Sequence, residues 1–378
     1  MRVLHWSEVF WPYIGGAQTS GLKLLLGLRE RGHEFIVVTS HGNIDLPDQE
    51  VFRGMPVCRF PFNTALADGD VHHIMRINRN IAKLKRSFAP DLIHINCFGP
   101  SVFFHLDTLT AHPSRVLVTL RGERFPSPAR PDSLLEQTLR SASYVTAPSI
   151  RTVEYARGLV PGFSLPSSHI YNGMEAPPFP PAPPPVDLPR LLCLGRLVPN
   201  KGFDLALTAF AAIRDRYPHA RMIIAGDGTE RSSLERQATR LGVSEIVDFL
   251  GWISPENVWA LINRATIVVV PSRGWEALPL VALEAAFMAR PVVAARDGGL
   301  PEVVLHQKTG LLVAKEDSDG LARAFSFFLD HPEAVLQMGQ AAWQRAQEVF
   351  SIARCVDAYD TLYRKLATAA PSANRWCS

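Results

Sequence analysis

The 378-residue chain has little cysteine: Cys58, Cys97, Cys193, Cys355 and Cys377 are scattered and never spaced C-x-x-C. That pattern excludes a disulfide framework and a thiolate zinc site, and it fits a reducing cytoplasm. No run of eighteen apolar residues occurs, so no transmembrane helix is expected. The opening MRVLHWSEVF lacks the charged segment, apolar core and cleavage site of a secretion signal, and reads as a first strand. Charge of one sign is also scarce. The formal net charge is +3, too mild for a dedicated nucleic-acid binder. Residues 1–176 carry 18 basic against 15 acidic side chains and residues 177–378 carry 21 of each, so any attraction for anionic surfaces belongs to the first half.

Several cofactor signatures are missing too. There is no G-x-G-x-x-G and no Walker phosphate loop, and AGDGTER (225–231) has two glycines without the third that a dinucleotide turn needs. This leaves a nicotinamide enzyme or a P-loop kinase poorly supported. Two D-x-D triplets, Asp68-Gly-Asp70 and Asp317-Ser-Asp319, do not directly end apolar strands and read as solvated acids, the second at a helix N-terminus. No His/Cys/Asp cluster has metal-ligand spacing.

What is present is an α/β pattern, with 47% hydrophobic and 20% charged residues. The length favours two domains. RVLHWSEVF, EFIVVTS, DLIHINC, RVLVTL and YVTAPS read as buried strands in the first half, with a helix from about Thr19 to Arg31 ended by Gly32. RLLCLG, RMIIAG, IVDFLG, TIVVVPS, PVVAA and TGLLV do so in the second. β-branched runs alternating with helices imply parallel sheets covered on both faces. Between the halves, residues 175–190 hold eight prolines and read as a stiff connector that cannot join a sheet or helix interior. Domains are thus expected at 1–176 and 190–350, with a linker at 177–189.

Three stretches carry candidate chemistry. In WPYIGGAQ, Gly15 and Gly16 lie where a strand passes into a helix, so they either let a phosphate approach the backbone or form a ligand-free turn. In LGRLVPNKGFD, Arg196 follows a strand and Lys201 precedes a helix; a planar fork and a compact charge at one strand end suit a diphosphate, and ordinary solvated charges are the alternative. In PSRGWEALPLVALEAAF, Glu276 lies in the loop above a strand end. Glu284 lies inside an apolar helix that starts near Pro279 and runs to about Arg290. A carboxylate among Val281, Ala282, Leu283, Ala285 and Phe287 needs a partner, and the paired hydroxyls of a ribose supply one. The amides of Leu280 and Val281 are free to meet phosphate or sugar oxygens.

These residues resemble the retaining glycosyltransferases of family 4, whose hallmark is a pair of glutamates seven residues apart. PYIGGAQ, GLRERGHEFIVVT, YNGME, GRLVPNKGFD, AGDGTER, DFLGWIS and DGGLPEVVLHQKTGLLV follow in the family's order along nearly the whole chain. The resemblance implies a GT-B fold, two Rossmann-like doubly wound parallel-sheet domains facing a central cleft. It also implies a C-terminal helix, about 351–367, crossing back to the first domain. Arg196 and Lys201 are implied to bind a nucleotide donor's diphosphate, Glu276 its sugar and Glu284 its ribose. Gly15, Gly16, Gly226, Leu278, Pro279, Leu280 and Val281 are implied to line the donor, and Trp252 and Ile253 to meet the base. No metal or other cofactor is implied. The acceptor is expected to be a glycan or a lipid-linked precursor.

The chain departs from the family at two acceptor-side positions, with Asn96 and Arg121 where many relatives carry histidines, so an acceptor-side or sugar-side histidine is missing or moved. His94 could substitute, although its alternation with Ile93 and Ile95 equally suits a buried imidazole. A non-catalytic sugar-nucleotide binder, or an epimerase or phosphorylase of similar fold, stays open as an alternative. Finally, Ile74, Ile77, Ile81, Leu84 and Phe88 form one helical stripe, with Arg76, Arg79, Lys83 and Arg86 nearly opposite. A cytoplasmic protein with weak peripheral attachment to an anionic bilayer is expected, a merely solvated basic face being the alternative. No nucleic-acid partner is expected.

Overall fold

The computed structural model describes residues 1–13, 15–42, 44–122, 129–162 and 166–368. The chain divides into two compact units, Met1–Gly173 with Ile352–Ser378, and Met174–Ser351.

The first unit runs β1 (Arg2–Ser7), α1 (Gly16–Glu30), β2 (Glu34–Ser40), β3 (Gln49–Phe52), β4 (Met55–Phe60), α2 (Phe62–Asp68), α3 (Val71–Phe88), β5 (Leu92–Cys97), α4 (Val102–Asp107), β6 (Arg115–Thr119), α5 (Leu134–Ser141), β7 (Tyr144–Ala147), α6 (Ile150–Arg157) and β8 (Ser167–His169). Its eight strands order as β3-β4-β2-β1-β5-β6-β7-β8. All neighbours are parallel except β3 and β4, an antiparallel edge hairpin. The sequence pattern did not disclose this hairpin. Its two-residue turn is Arg53-Gly54, both at positive φ, with arginine where such turns usually carry asparagine or aspartate. Helix α1 also starts earlier than expected, at Gly16, with Gly15 as its N-cap.

The second unit runs β9 (Arg190–Leu194), α7 (Phe203–Ile213), β10 (Arg221–Ala225), α8 (Arg231–Arg240), β11 (Val247–Gly251), α9 (Pro255–Asn263), β12 (Ile267–Val270), α10 (Leu280–Phe287), β13 (Val292–Ala295), α11 (Leu300–Val303), β14 (Gly310–Val313), α12 (Ser318–Asp330) and α13 (Pro332–Val349). Its six strands are all parallel, in the order β11-β10-β9-β12-β13-β14. The order reverses between β9 and β12. Such a switch point leaves a crevice at the carboxyl ends of the strands, where α/β sheets take ligands.

The proline-rich stretch is fastened to the second unit rather than standing free. The Ala182 amide donates to Asn263 Oδ1 at 2.9 Å, Thr266 Oγ1 donates to the Pro185 carbonyl at 2.8 Å, and Val186 packs on the core. Arg290 completes the fastening: fully buried, it donates to the carbonyls of Ala182, Asn263 and Met288. The last helix, α14 (Ile352–Thr368), belongs to the first unit and buries Val356, Tyr359, Leu362, Tyr363 and Leu366 in its core. Gly27 of α1 makes room for it, since a Cβ there would stand 2.4 Å from Val356. Each such apolar side chain contributes ~1.5–3 kcal/mol when fully buried. Among the described residues no helix is long and apolar enough to cross a membrane.

Candidate active site

The switch point of the second sheet brings the sequence motifs together. After β9 the chain forms a single tight turn, Pro199–Lys201, and enters α7 through Gly202 at φ 68°. A side chain at Gly202 would strike the Pro271 carbonyl at 2.3 Å, so glycine lets this turn lie against the loop after β12. The two loops are then pinned, with the amides of Arg273 and Gly274 both donating to the Asn200 carbonyl at 2.9 Å.

This pinning sets Lys201 against Glu276. Lys201 Nζ donates to Glu276 Oε1 at 2.6 Å, and the buried Ser272 hydroxyl donates to the same oxygen at 2.8 Å. The side chains are 22% and 14% exposed, so the pair is partly desolvated yet reachable. A third loop holds the glutamate's backbone: the Gly299 amide donates to the Glu276 carbonyl at 2.7 Å. Gly298 sits at φ 56°, and a Cβ there would lie 2.2 Å from that carbonyl. Ser272, Gly298 and Gly299 were not singled out from the sequence. The signal was present in the doubled glycine of DGGLPE, but only the fold says what the glycines approach.

The other cations of the site differ in availability. Arg273 forks onto the Asp204 carboxylate, which raises its pKa, and so is neutralised. Arg196 is exposed and has no acidic partner among the described residues. Glu284 is half-buried on α10, which begins at Leu280, with Pro279 as N-cap, and ends at Phe287, three residues short of the expected Arg290. The chain leaves the helix through Ala289 at positive φ. The amides of Leu280 and Val281 have no acceptor among the described residues, and Leu278 is buried. Gly226, at φ 133°, sits so close to the Gly195 carbonyl that no side chain fits. Its amide donates to the Gly251 carbonyl at 2.7 Å, which aligns the loop carrying Trp252 and Ile253. Trp252 is 64% exposed.

In the first unit, Gly15 and Gly16 open α1 and the Gly15 carbonyl accepts from the Thr19 amide at 2.8 Å. Of the two readings open for His94, a substitute acceptor-side histidine and a buried imidazole, the structure favours the second. His94 is fully buried, with Nδ1 2.6 Å from Tyr363 Oη and Nε2 2.7 Å from Thr119 Oγ1. Burial pushes its pKa well below the usual value, helped by His5 and Arg121, so the ring is a neutral core group. Asn96 and Arg121 instead meet each other, Arg121 Nη2 and Nε donating to Asn96 Oδ1 at 2.6 and 3.1 Å. Both D-x-D triplets end in structural work. Asp70 caps α3, and Asp317 caps α12. Among the described residues no three His, Cys, Asp or Glu side chains could hold a metal.

With this geometry in place, the comparisons with known proteins decide the family. The sequence profile of Glycosyltransferase Family 4 matches residues 14–176, and that of Glycosyl transferases group 1 matches residues 179–345. A glycogen synthase of Mycobacterium tuberculosis is 30% identical over 93% of this chain and 91% of its own length. The chain belongs to glycosyltransferase family 4. A GDP-mannose-dependent phosphatidylinositol monomannoside mannosyltransferase of Corynebacterium glutamicum is 27% identical over 88% of this chain and 90% of its own length. Among solved structures, the sucrose-phosphate synthase of Thermosynechococcus elongatus superposes with a TM-score of 0.82 at 22% identity, covering 98% of this chain and all of the other. Anabaena HepE in complex with UDP and glucose gives 0.75 at 21% identity, over 97% and 100%. The chain therefore has the GT-B fold, and it is a glycosyltransferase.

Proposed function

We propose that this family 4 enzyme moves a sugar from a nucleotide diphosphate donor to a hydroxyl acceptor with retention of configuration. The observation that carries the reading is the Lys201–Glu276 pair at the switch point of the second sheet. Arg196, just past the end of β9, joins it without an acidic partner among the described residues. Breaking the anomeric C–O bond leaves positive character on the sugar and negative charge on the departing diphosphate. Arg196 and Lys201 stabilise that developing charge, and the amides of Leu280 and Val281 add donors without a metal ion. Glu276 takes sugar hydroxyls on the oxygen that Lys201 does not hold. Glu284 takes the ribose, and the loop through Trp252 and Ile253 takes the base. No second carboxylate stands ready as a nucleophile among the described residues, so same-face attack with a donor phosphate oxygen as base fits better than double displacement.

The acceptor class in this reading is a glycan or lipid-linked precursor at an anionic membrane face. Helix α3 supports it: Ile77 and Ile81 are buried in the first unit, whereas Arg76, Arg79, Lys83 and Arg86 are exposed and lack acidic partners among the described residues. Val71 and Met75, 63% and 54% exposed, add apolar contact at its start. A relative from Mycolicibacterium smegmatis, 38% identical over 41% of this chain and 42% of its own length, is a phosphatidylinositol monomannoside mannosyltransferase.

Melting curves with UDP-, GDP- and ADP-sugars test the donor, because a ligand of the native state alone raises the midpoint. Labelled-sugar transfer to mixed acceptors, with and without a chelator, then tests catalysis and metal independence. No stabilisation by any of the three series sinks the reading.

A further inference from the structure

The switch point of the first sheet, between β1 and β5, holds a positive charge with no counter-charge among the described residues. Arg121 lies just past the carboxyl end of β6. Its guanidinium donates to Asn96 Oδ1 at 2.6 and 3.1 Å, to Asn172 Oδ1 at 2.5 Å and to Ser20 Oγ at 3.4 Å. All three partners are neutral and nearly buried, at 2%, 7% and 5% exposure. No carboxylate pairs with Arg121 among the described residues. Two imidazoles that feel its charge, His5 and His94, are fully buried and kept uncharged, burial lowering their pKa values first and Arg121 adding to it.

The surroundings are shaped to hold this arrangement. Gly21 lies inside α1, where glycine costs helix stability, and a Cβ there would stand 2.7 Å from Asn96 Nδ2. The helix thus gives up a side chain to admit the asparagine that fixes the guanidinium plane. Four of the five N–H groups are engaged, leaving one on Nη2 without a partner among the described residues. Arginine is always charged, and a half-buried cation is poorly solvated until an anion joins it. Neutral amides orient the fork without satisfying the charge.

We propose that Arg121 is a specificity-determining receptor for an oxyanion on the sugar or polyol that this unit binds, either the carboxylate of a uronate or a phosphate ester. The proposal rests on the reading of the chain as a sugar transferase and adds the charge of its ligand. A neutral hydroxyl at this point gains one hydrogen bond, whereas an oxyanion gains a charge-assisted one and relieves the lone charge.

Binding titrations on the full chain test it. Matched probes are glucuronate against glucose, inositol phosphate against inositol, and nucleotide glucuronates against nucleotide glucoses, for wild type, Arg121→Gln and Arg121→Lys. One charged series is expected to bind wild type about ten- to a hundredfold more tightly than its neutral twin. That preference should vanish in Arg121→Gln, where the charged and neutral twins should bind alike, and survive in part in Arg121→Lys. Which series shows it names the oxyanion. Equal affinities for every pair in wild type overturn the proposal, and that comparison needs no variant to fold. A preference that survives in a folded Arg121→Gln also overturns it. Failure of UDP, GDP and ADP alike to bind counts against the transferase reading instead, because the nucleotide-free probes report on Arg121 independently.

Discussion

Lys201 Nζ and Glu276 Oε1 lie 2.6 Å apart, on loops that follow the two strands flanking the switch point of the second sheet. In the proposed mechanism this bond joins the residue that meets the diphosphate to the residue that meets the sugar, before either arrives. Lys201→Ala and Glu276→Ala should each lower turnover about a hundredfold or more. The cost in stability should stay within a few kcal/mol and leave the fold intact, because each variant strands a partner that is only partly desolvated. Steady-state rates beside urea denaturation check both halves, and near-native turnover in either variant removes its assigned role.

Gly298 should be intolerant of any side chain. Its positive φ and the 2.2 Å approach of a Cβ to the Glu276 carbonyl mean that Gly298→Ala must displace one loop or the other. Donor affinity and turnover are expected to fall together while far-ultraviolet circular dichroism stays native. A Gly298→Ala enzyme with unaltered kinetics would show that the loop's position does not matter.

Acid should destabilise the first unit well before carboxylates protonate. Burial lowers the His5 pKa to about 3 and holds His94 and His105 well below the usual 6.5. The folded state resists protons that the unfolded chain accepts, so these groups cost nothing above pH 6.5 and erode stability as pH falls toward 3. For each such group, every pH unit crossed in that window removes ~1.4 kcal/mol at full effect. Urea midpoints at pH 7.5 and pH 5 should differ clearly, and equal midpoints count against the neutral buried imidazoles.

The hydroxyl of Tyr363 ties α14 to the sheet through His94 Nδ1 at 2.6 Å. Tyr363→Phe leaves a buried ring nitrogen unsatisfied, a loss of about 1–3 kcal/mol. Chemical denaturation should show that loss with kcat little altered, since both groups are fully buried. An unshifted midpoint would mean that the bond contributes nothing.

For α3, sedimentation with anionic vesicles at low salt should recover the protein, and neutral vesicles should not. Arg79→Glu with Lys83→Glu should abolish the difference, as each basic residue near such a surface contributes ~1 kcal/mol. Equal recovery with both lipids leaves the membrane reading without support.

What the sequence disclosed follows from where its signal is local. Five of the six strands of the second unit hold continuous apolar runs, β11 alone being interrupted by Asp248, and all six were legible as strands. The edge hairpin β3–β4 was not, because its strands are short, carry Glu50, Pro56 and Arg59, and turn on Arg53-Gly54. Lys201 and Glu276 were legible through their spacing around strands. That Glu276 leans on Gly299, that His94 is spent on Tyr363, and that Arg121 is framed by Ser20, Asn96 and Asn172 were not. Those partners lie far apart along the chain, His94 and Tyr363 by 269 residues, and share no periodic pattern.

The most direct test of the central claim is calorimetric titration of the stabilising nucleotide sugar into wild type, Arg196→Ala and Lys201→Ala. Wild type should bind one donor per chain, and each variant should lose about tenfold or more in affinity for the sugar nucleotide and for the free diphosphate alike, since the lost contact is charge-assisted. Unchanged affinity in both variants would contradict the account, because the diphosphate would then be held somewhere other than the switch point of the second sheet.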